Sequence, residues 1–191
     1  MASSRPSRIR IIGGKWRGRK IEVVGGEGLR PTPDRVRETL FNWLAPYCPG
    51  AMVLDCFAGS GALGLEAMSR GAAGLVLLEK QAAALAGLRE LVKRLDADAI
   101  DIVAGDALTA ISGLKQKFDI VFIDPPYARP QLRQQVFNRL QEKACLQAGA
   151  KIYFEWPSHE QFELPSPNLR WLKLKSAGQV NYAIAEWRLS G

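Results

Sequence analysis

The stretch Asp55-Cys56-Phe57-Ala58-Gly59-Ser60-Gly61-Ala62-Leu63-Gly64 decides how this chain reads. It ends an apolar run over 52–57 and opens a helical period over 62–70. Gly59, Gly61 and Gly64 satisfy GxGxxG between a strand and a helix, a loop whose backbone can approach a nucleotide cofactor at the carboxyl edge of a parallel sheet. By itself that spacing is shared with dinucleotide enzymes. Further apolar runs at 75–78, 100–103, 118–123 and 152–156 alternate with helical periods at 82–95, 107–114 and 132–144. Runs apolar on both faces between helices predict a mostly parallel sheet covered on both sides, an α/β Rossmann-like fold. Two alternating runs, 169–174 and 180–189, leave no room for a helix between them. They predict an antiparallel hairpin at one edge of a seven-stranded sheet.

Acids stand where the strands end. Asp55 precedes the glycines, where a carboxylate can meet the ammonium of a methionyl group and would repel a pyrophosphate. Glu79 closes the second of these strands, in the usual place for an acid that bonds ribose hydroxyls, a feature that NAD enzymes share. Asp106 follows the third and can accept from an adenine amino group, cap the next helix, or do both. Together these favour S-adenosylmethionine over NAD.

Asp124-Pro125-Pro126-Tyr127 follows the run 118–123 and is the most specific motif. An exocyclic amino nitrogen is a poor nucleophile because its lone pair is delocalised into the base. The Asp124 carboxylate and the Pro125 carbonyl, accepting from its two N–H groups, localise that lone pair. Two successive prolines stiffen the backbone and remove competing donors. Tyr127 can stack on a base taken out of its helix.

The chain has 191 residues, of which 47% are hydrophobic and 24% charged, enough for one globular core. Its net charge of +7 resides entirely in residues 1–37, where ten lysines and arginines face three acids. A basic leading segment on a neutral body points to a polyanion, most often nucleic acid. Residues 1–7 read as a disordered arm. Runs at 8–12 and 20–24 read as a hairpin around a basic loop. A turn-rich link over 25–31 leads to a helix ending near 45, with Thr32 as its cap and Pro33 in its first turn. Residues 8–50 are thus expected to form a nucleic-acid-contacting unit, and 51–191 the catalytic domain. No apolar run approaches the roughly 20 residues that span a bilayer, and the start lacks the apolar stretch of a secretory signal. Cys48, Cys56 and Cys145 are odd in number and form no CxxC, and there is one histidine. That argues against a disulfide scaffold or a metal site and suggests the cytoplasm.

Nearly the whole chain, from about Arg10 to Trp187, resembles class I S-adenosylmethionine-dependent methyltransferases of the RsmD type, which modify guanine N2 in 16S ribosomal RNA. The resemblance rests on RIIGGKWRGRKI (10–21), LRPTPDRVRETLFNWLAP (29–46), LDCFAGSGALGLEA (54–67), FIDPPY (122–127) and AGQVNY (177–182). It implies a monomer acting on the small ribosomal subunit or an assembly intermediate. The expected cofactor site comprises Asp55, Phe57, Ala58, Gly59, Ser60, Gly61, Glu79, Lys80, Asp106 and Ala107. Asp124, Pro125, Pro126 and Tyr127 form the expected catalytic motif. Arg10, Lys15, Arg17, Arg19, Lys20, Arg30, Arg35 and Arg37 are the expected RNA contacts. Residue chemistry alone leaves a DNA adenine-N6 methyltransferase open, since that enzyme also offers Asp-Pro-Pro-Tyr to an amine. An NAD-linked oxidoreductase lacks room for a second domain. A non-catalytic RNA-binding module leaves Asp124–Tyr127 without a purpose. Glu155, Trp156 and His159 read equally as pocket lining or as surface loop.

Overall fold

The computed structural model describes residues 8–22 and 32–189, so the expected arm, the whole expected link with Arg30, and the end of the run 20–24 lie outside the described residues. Strands β1 (Arg8–Arg10) and β2 (Lys20–Glu22) pair antiparallel with Ile9 opposite Ile21. Helix α1 (Asp34–Leu44) comes next. The alternating part then runs β3 (Met52–Asp55), α2 (Ala62–Ser69), β4 (Gly74–Glu79), α3 (Ala82–Arg94), β5 (Ile100–Ala104), α4 (Ala107–Gly113), β6 (Phe118–Ile123), α5 (Leu132–Glu142), β7 (Leu146–Pro157), β8 (Leu169–Ala177) and β9 (Val180–Trp187). The large sheet has the order β5-β4-β3-β6-β7-β9-β8. Strands β3 to β7 are parallel, and β9 is antiparallel to both β7 and β8. This is the expected sheet with its antiparallel edge.

Strand alternation divides the core into two layers. Val53, Leu75, Ile120, Tyr153 and Tyr182 face α1, α2 and α3. Their neighbours Leu54, Val76, Val121, Phe154 and Ala183 face α4 and α5. The chain builds outward from β3 to β5, then returns to lay β6 on the other side of β3. Such a reversal opens a crevice at the carboxyl ends of the two strands, where ligands of α/β sheets bind.

Three local expectations change. Strand β7 begins at Leu146, six residues before the expected start, because Leu146-Gln147-Ala148-Gly149-Ala150-Lys151 carries no strand-like alternation. Leu146 still pairs with Phe118 and Lys151 with Ile120, the register slips between them, and Gly149 lies in that bulge at φ +79°. Strand β3 stops at Asp55, two residues early, and the chain turns into the glycine loop. Helix α1 starts at Asp34, with Pro33 extended just before it and accepting from the N–H groups of Val36 and Arg37. Thr32 is no cap, because its hydroxyl donates across the molecule to Glu155 (3.5 Å).

The basic segment is built into the body. Ile9, Ile11, Trp16 and Ile21 share one core with Leu40, Phe41 and Val53. A 3-10 turn (Gly14–Trp16) carries the hairpin loop onto the end of α2. Gly14 has φ +75°, and a Cβ there would lie 1.7 Å from the Ser69 carbonyl oxygen, so only glycine fits. Glu66 of α2, fully buried, accepts from the Ile12 and Gly13 N–H groups (2.8 Å each) and from Arg70 Nε (2.8 Å). Ser69 Oγ accepts from Trp16 N–H (2.9 Å) and donates to the Gly13 carbonyl (2.5 Å).

Arg37 corrects an expectation. It was expected at the RNA surface but is completely buried. Its guanidinium pairs with Asp34 (2.6 Å), lies 3.8 Å from Glu66 and donates to the Arg10 carbonyl (3.0 Å). Position 37 falls on the same helical face as Leu40, Phe41 and Leu44, so this arginine points inward and takes the buried carboxylate as its partner.

Candidate active site

Four neighbouring parallel strands deliver an acid to one edge: Asp55 ends β3, Glu79 ends β4, Asp106 follows β5 and Asp124 follows β6. Between β3 and α2 no side chain from 58 to 62 exceeds serine in size, and Gly59 (φ +52°) and Gly61 (φ +78°) turn the backbone there. Asp55 is 3% exposed and accepts from the Phe57 (3.3 Å) and Gly64 (3.2 Å) N–H groups. Burial pushes its carboxyl up to about 7; those two hydrogen bonds oppose the shift, and Glu79 adds to it. Glu79 holds the loop from the next strand. One oxygen accepts from Gly59 N–H and the other from the Lys80 and Gln81 N–H groups, all at 2.8 Å. Asp106 caps α4 through Leu108 N–H (3.1 Å), and Ala107 begins that helix. Phe57 and Ser60 are half-buried and Ala58 is buried in the same loop. A bare backbone edge beside carboxylates fits a cationic cofactor that also carries hydroxyl and amino donors, and it suits a pyrophosphate poorly.

Across the crevice Asp124 is half-buried and Pro125 buried, while Pro126 and Tyr127 are exposed, Tyr127 by 40%. Burial raises the Asp124 carboxyl well above its usual range, Glu155 and Asp55 raise it further, and Arg133 lowers it. Glu155 is a residue that sequence reasoning left ambiguous. It lies inside β7, 4% exposed, on the face that carries Tyr153. It accepts from the hydroxyls of Tyr127 (2.7 Å) and Tyr153 (2.6 Å). Trp156, one residue on, faces the other layer and packs on Phe162 (4.9 Å between centroids), and His159 is exposed on the turn beyond. Arg133 of α5 was not singled out from sequence. It donates to the Glu155 carbonyl (3.4 Å) and pairs with Glu160 (2.5 Å). Only the spacing of Tyr153 and Glu155 on one strand face hinted at the cluster.

The basic side chains lie elsewhere. Lys15, Arg17, Arg19 and Lys20 are exposed around the hairpin loop, with the Lys15 ammonium 4.3 Å from the Trp16 ring centre. That loop meets the last turn of α2, whereas the glycine loop precedes its first, so about 10 Å of helix separates them. Arg10, 3.7 Å from Asp34, and Arg35 are exposed at the start of α1, the end that reaches Glu155 through Thr32. No group of metal-binding side chains occurs among the described residues, and no helix among them is long and apolar enough to cross a membrane.

The profile of the family described as conserved hypothetical protein 95 matches residues 9–186. Ribosomal RNA small subunit methyltransferase D of Escherichia coli K12 is 45% identical over 96% of this chain and 92% of its own length. The protein of the same name from Haemophilus influenzae is 39% identical over 92% of each. The solved structure of Escherichia coli yhhF superimposes with a TM-score of 0.85 at 43% identity, covering 96% of this chain and all of that one. A family profile spanning residues 9–186 and a relative matched along almost its full length show that the chain belongs to the family of RsmD-type methyltransferases.

Proposed function

We propose that the protein methylates the exocyclic N2 amine of a guanine in 16S ribosomal RNA of the small subunit, using S-adenosylmethionine. One observation carries the reading: Asp124 follows β6 beside the glycine loop of β3, across the crevice where the strand order reverses, and two prolines and an exposed tyrosine follow it. When bound, S-adenosylmethionine supplies an electrophilic methyl group. Gly59 and Gly61 offer it backbone, Asp55 a carboxylate for its ammonium, Glu79 an acceptor for ribose hydroxyls and Asp106 one for the adenine amine. Phe57, Ala58, Ser60, Lys80 and Ala107 surround these groups. The Asp124 carboxylate and Pro125 carbonyl accept from the two N–H groups of the target amine, raising nucleophilicity at that nitrogen. Pro126 keeps the corner rigid. As positive charge develops on the nitrogen, Asp124 stabilises it and takes the released proton, a task suited to a carboxylate made more basic by burial. Tyr127 supplies the stacking surface. Arg10, Lys15, Arg17, Arg19, Lys20, Arg30 and Arg35 bind phosphates, and the names of the relatives support ribosomal RNA as their partner.

The test is transfer of labelled methyl to undermethylated small subunits, naked ribosomal RNA and duplex DNA, followed by nucleoside analysis. N2-methylguanosine from small subunits is expected, and N6-methyladenosine would overturn the assignment. Asp124→Ala should lower transfer about 10²–10³-fold while cofactor affinity holds.

A further inference from the structure

Tyr127 presents a difficulty that its motif does not solve. Its ring is 40% exposed on a loop, and a side chain so placed samples several χ1 wells unless something holds it. A base that must be met by one ring orientation would then find it only part of the time. The holding group is Glu155, 28 residues on and inside β7. Its Oε1 accepts from the Tyr127 hydroxyl at 2.7 Å, while Oε2 accepts from the hydroxyls of Tyr153 (2.6 Å) and Thr32 (3.5 Å). A carboxylate this deeply buried must be matched by donors, and here three hydroxyls supply them. Two of the three come from the body, and the third, Thr32, stands just before α1 within the basic segment. Glu155 is itself fixed in a central strand, and its own carbonyl accepts from Arg133 (3.4 Å). Both of its oxygens are engaged by these hydroxyls, and Tyr127 is the member of the cluster exposed at the surface.

We propose that Glu155 is a positioning residue for methyl transfer: its carboxylate fixes the Tyr127 ring in the orientation that receives the flipped base. The proposal rests on the methyl-transfer reading above. Tyr127 touches the base, and Glu155 acts through Tyr127. Preorganisation of this kind appears in turnover, because it sets the fraction of bound base correctly oriented, and it leaves the phosphate contacts that hold the RNA untouched.

The experiment compares kcat and KM for undermethylated small subunits in wild type, Tyr127→Phe, Glu155→Ala, Glu155→Gln and the Tyr127→Phe/Glu155→Ala double variant, with a thermal melt of each. Tyr127→Phe keeps the ring and removes only the hydroxyl. It is expected to lower kcat about tenfold with KM within about twofold. Glu155→Ala should fall by a similar factor, and the double variant should fall no further than Glu155→Ala alone. Glu155→Gln keeps an acceptor oxygen and adds an amide donor for the Tyr127 hydroxyl, so it should recover most of kcat. Wild-type kcat in Tyr127→Phe overturns the proposal, and so does a double variant whose loss is the product of the two singles. If Glu155→Ala does not fold, the cycle is run with Glu155→Met, which fills the space but offers no carboxylate, and losses that multiply with those of Tyr127→Phe overturn it equally. Failure of wild type itself to methylate the particle would refute the functional reading instead, so the two failures are distinguishable.

Discussion

Glu66→Ala should loosen the whole basic segment without touching the catalytic edge. The side chain is fully buried, and its carboxylate serves the amides of Ile12 and Gly13, Arg70 Nε and, at 3.8 Å, the buried Arg37 guanidinium. Removing it leaves two partly buried amides without an acceptor, at about 1 kcal/mol each at the low end. The Arg37 guanidinium keeps Asp34 and the Arg10 carbonyl but loses its only fully buried counter-charge. Breaking one partner of a buried ion pair typically costs about 3–5 kcal/mol, and these losses overlap, so about 4 kcal/mol is the expected total. For a chain of this length each kcal/mol lowers Tm by about 2–4 °C, which gives a drop near 12 °C. Differential scanning calorimetry at pH 7 reads it directly, and urea titration at constant m checks that the change lies in stability. Glu66→Gln keeps one acceptor oxygen and should fall between the two. A Tm loss under about 4 °C for Glu66→Ala would refute the view that this carboxylate clamps the hairpin to α2.

Arg37 and the exposed arginines should separate in the same assays. Arg37→Met is expected to lower Tm and leave the salt slope of RNA binding unchanged, whereas Arg17→Gln and Arg19→Gln should each reduce that slope by about one and leave Tm within about 2 °C. A reduced slope in Arg37→Met would place the residue at the RNA after all. A pH effect follows from Asp55, whose carboxyl is pushed from 3.8 up to about 7 in the folded chain. A folded-state value above the unfolded one stabilises at low pH, and that contribution is lost as pH rises from about 4 through about 7, at roughly 1.4 kcal/mol per pH unit at most. Tm of the ligand-free protein should therefore fall over that range more steeply than in Asp55→Asn, and parallel curves would show that Asp55 does not titrate there.

Features encoded by neighbouring residues are legible without the fold, and features that join distant residues are not. The strands, the parallel sheet with its antiparallel edge, the glycine loop and the Asp124–Tyr127 corner are each written in contiguous residues, because strand alternation and turn chemistry act over a few positions. Strand β7 shows where that fails: its first six residues have no alternation, and neighbouring β6 holds only their two ends, Leu146 and Lys151, across a bulge. Arg37 shows a second failure. A positive charge in a basic segment reads as surface until the fold turns its helical face inward and supplies Glu66 from 29 residues away.

The sequence by itself thus determined the architecture and the make-up of the Asp124–Tyr127 corner. Tertiary structure alone decided which charges are exposed, that the basic hairpin shares the body's core, and that a buried carboxylate stands behind Tyr127. Those outcomes depend on pairs such as Ile12 with Glu66 and Thr32 with Glu155, 54 and 123 residues apart. Burial makes each of these partners obligatory, since a buried charge or amide must be matched, but no local pattern names the partner before the chain has folded.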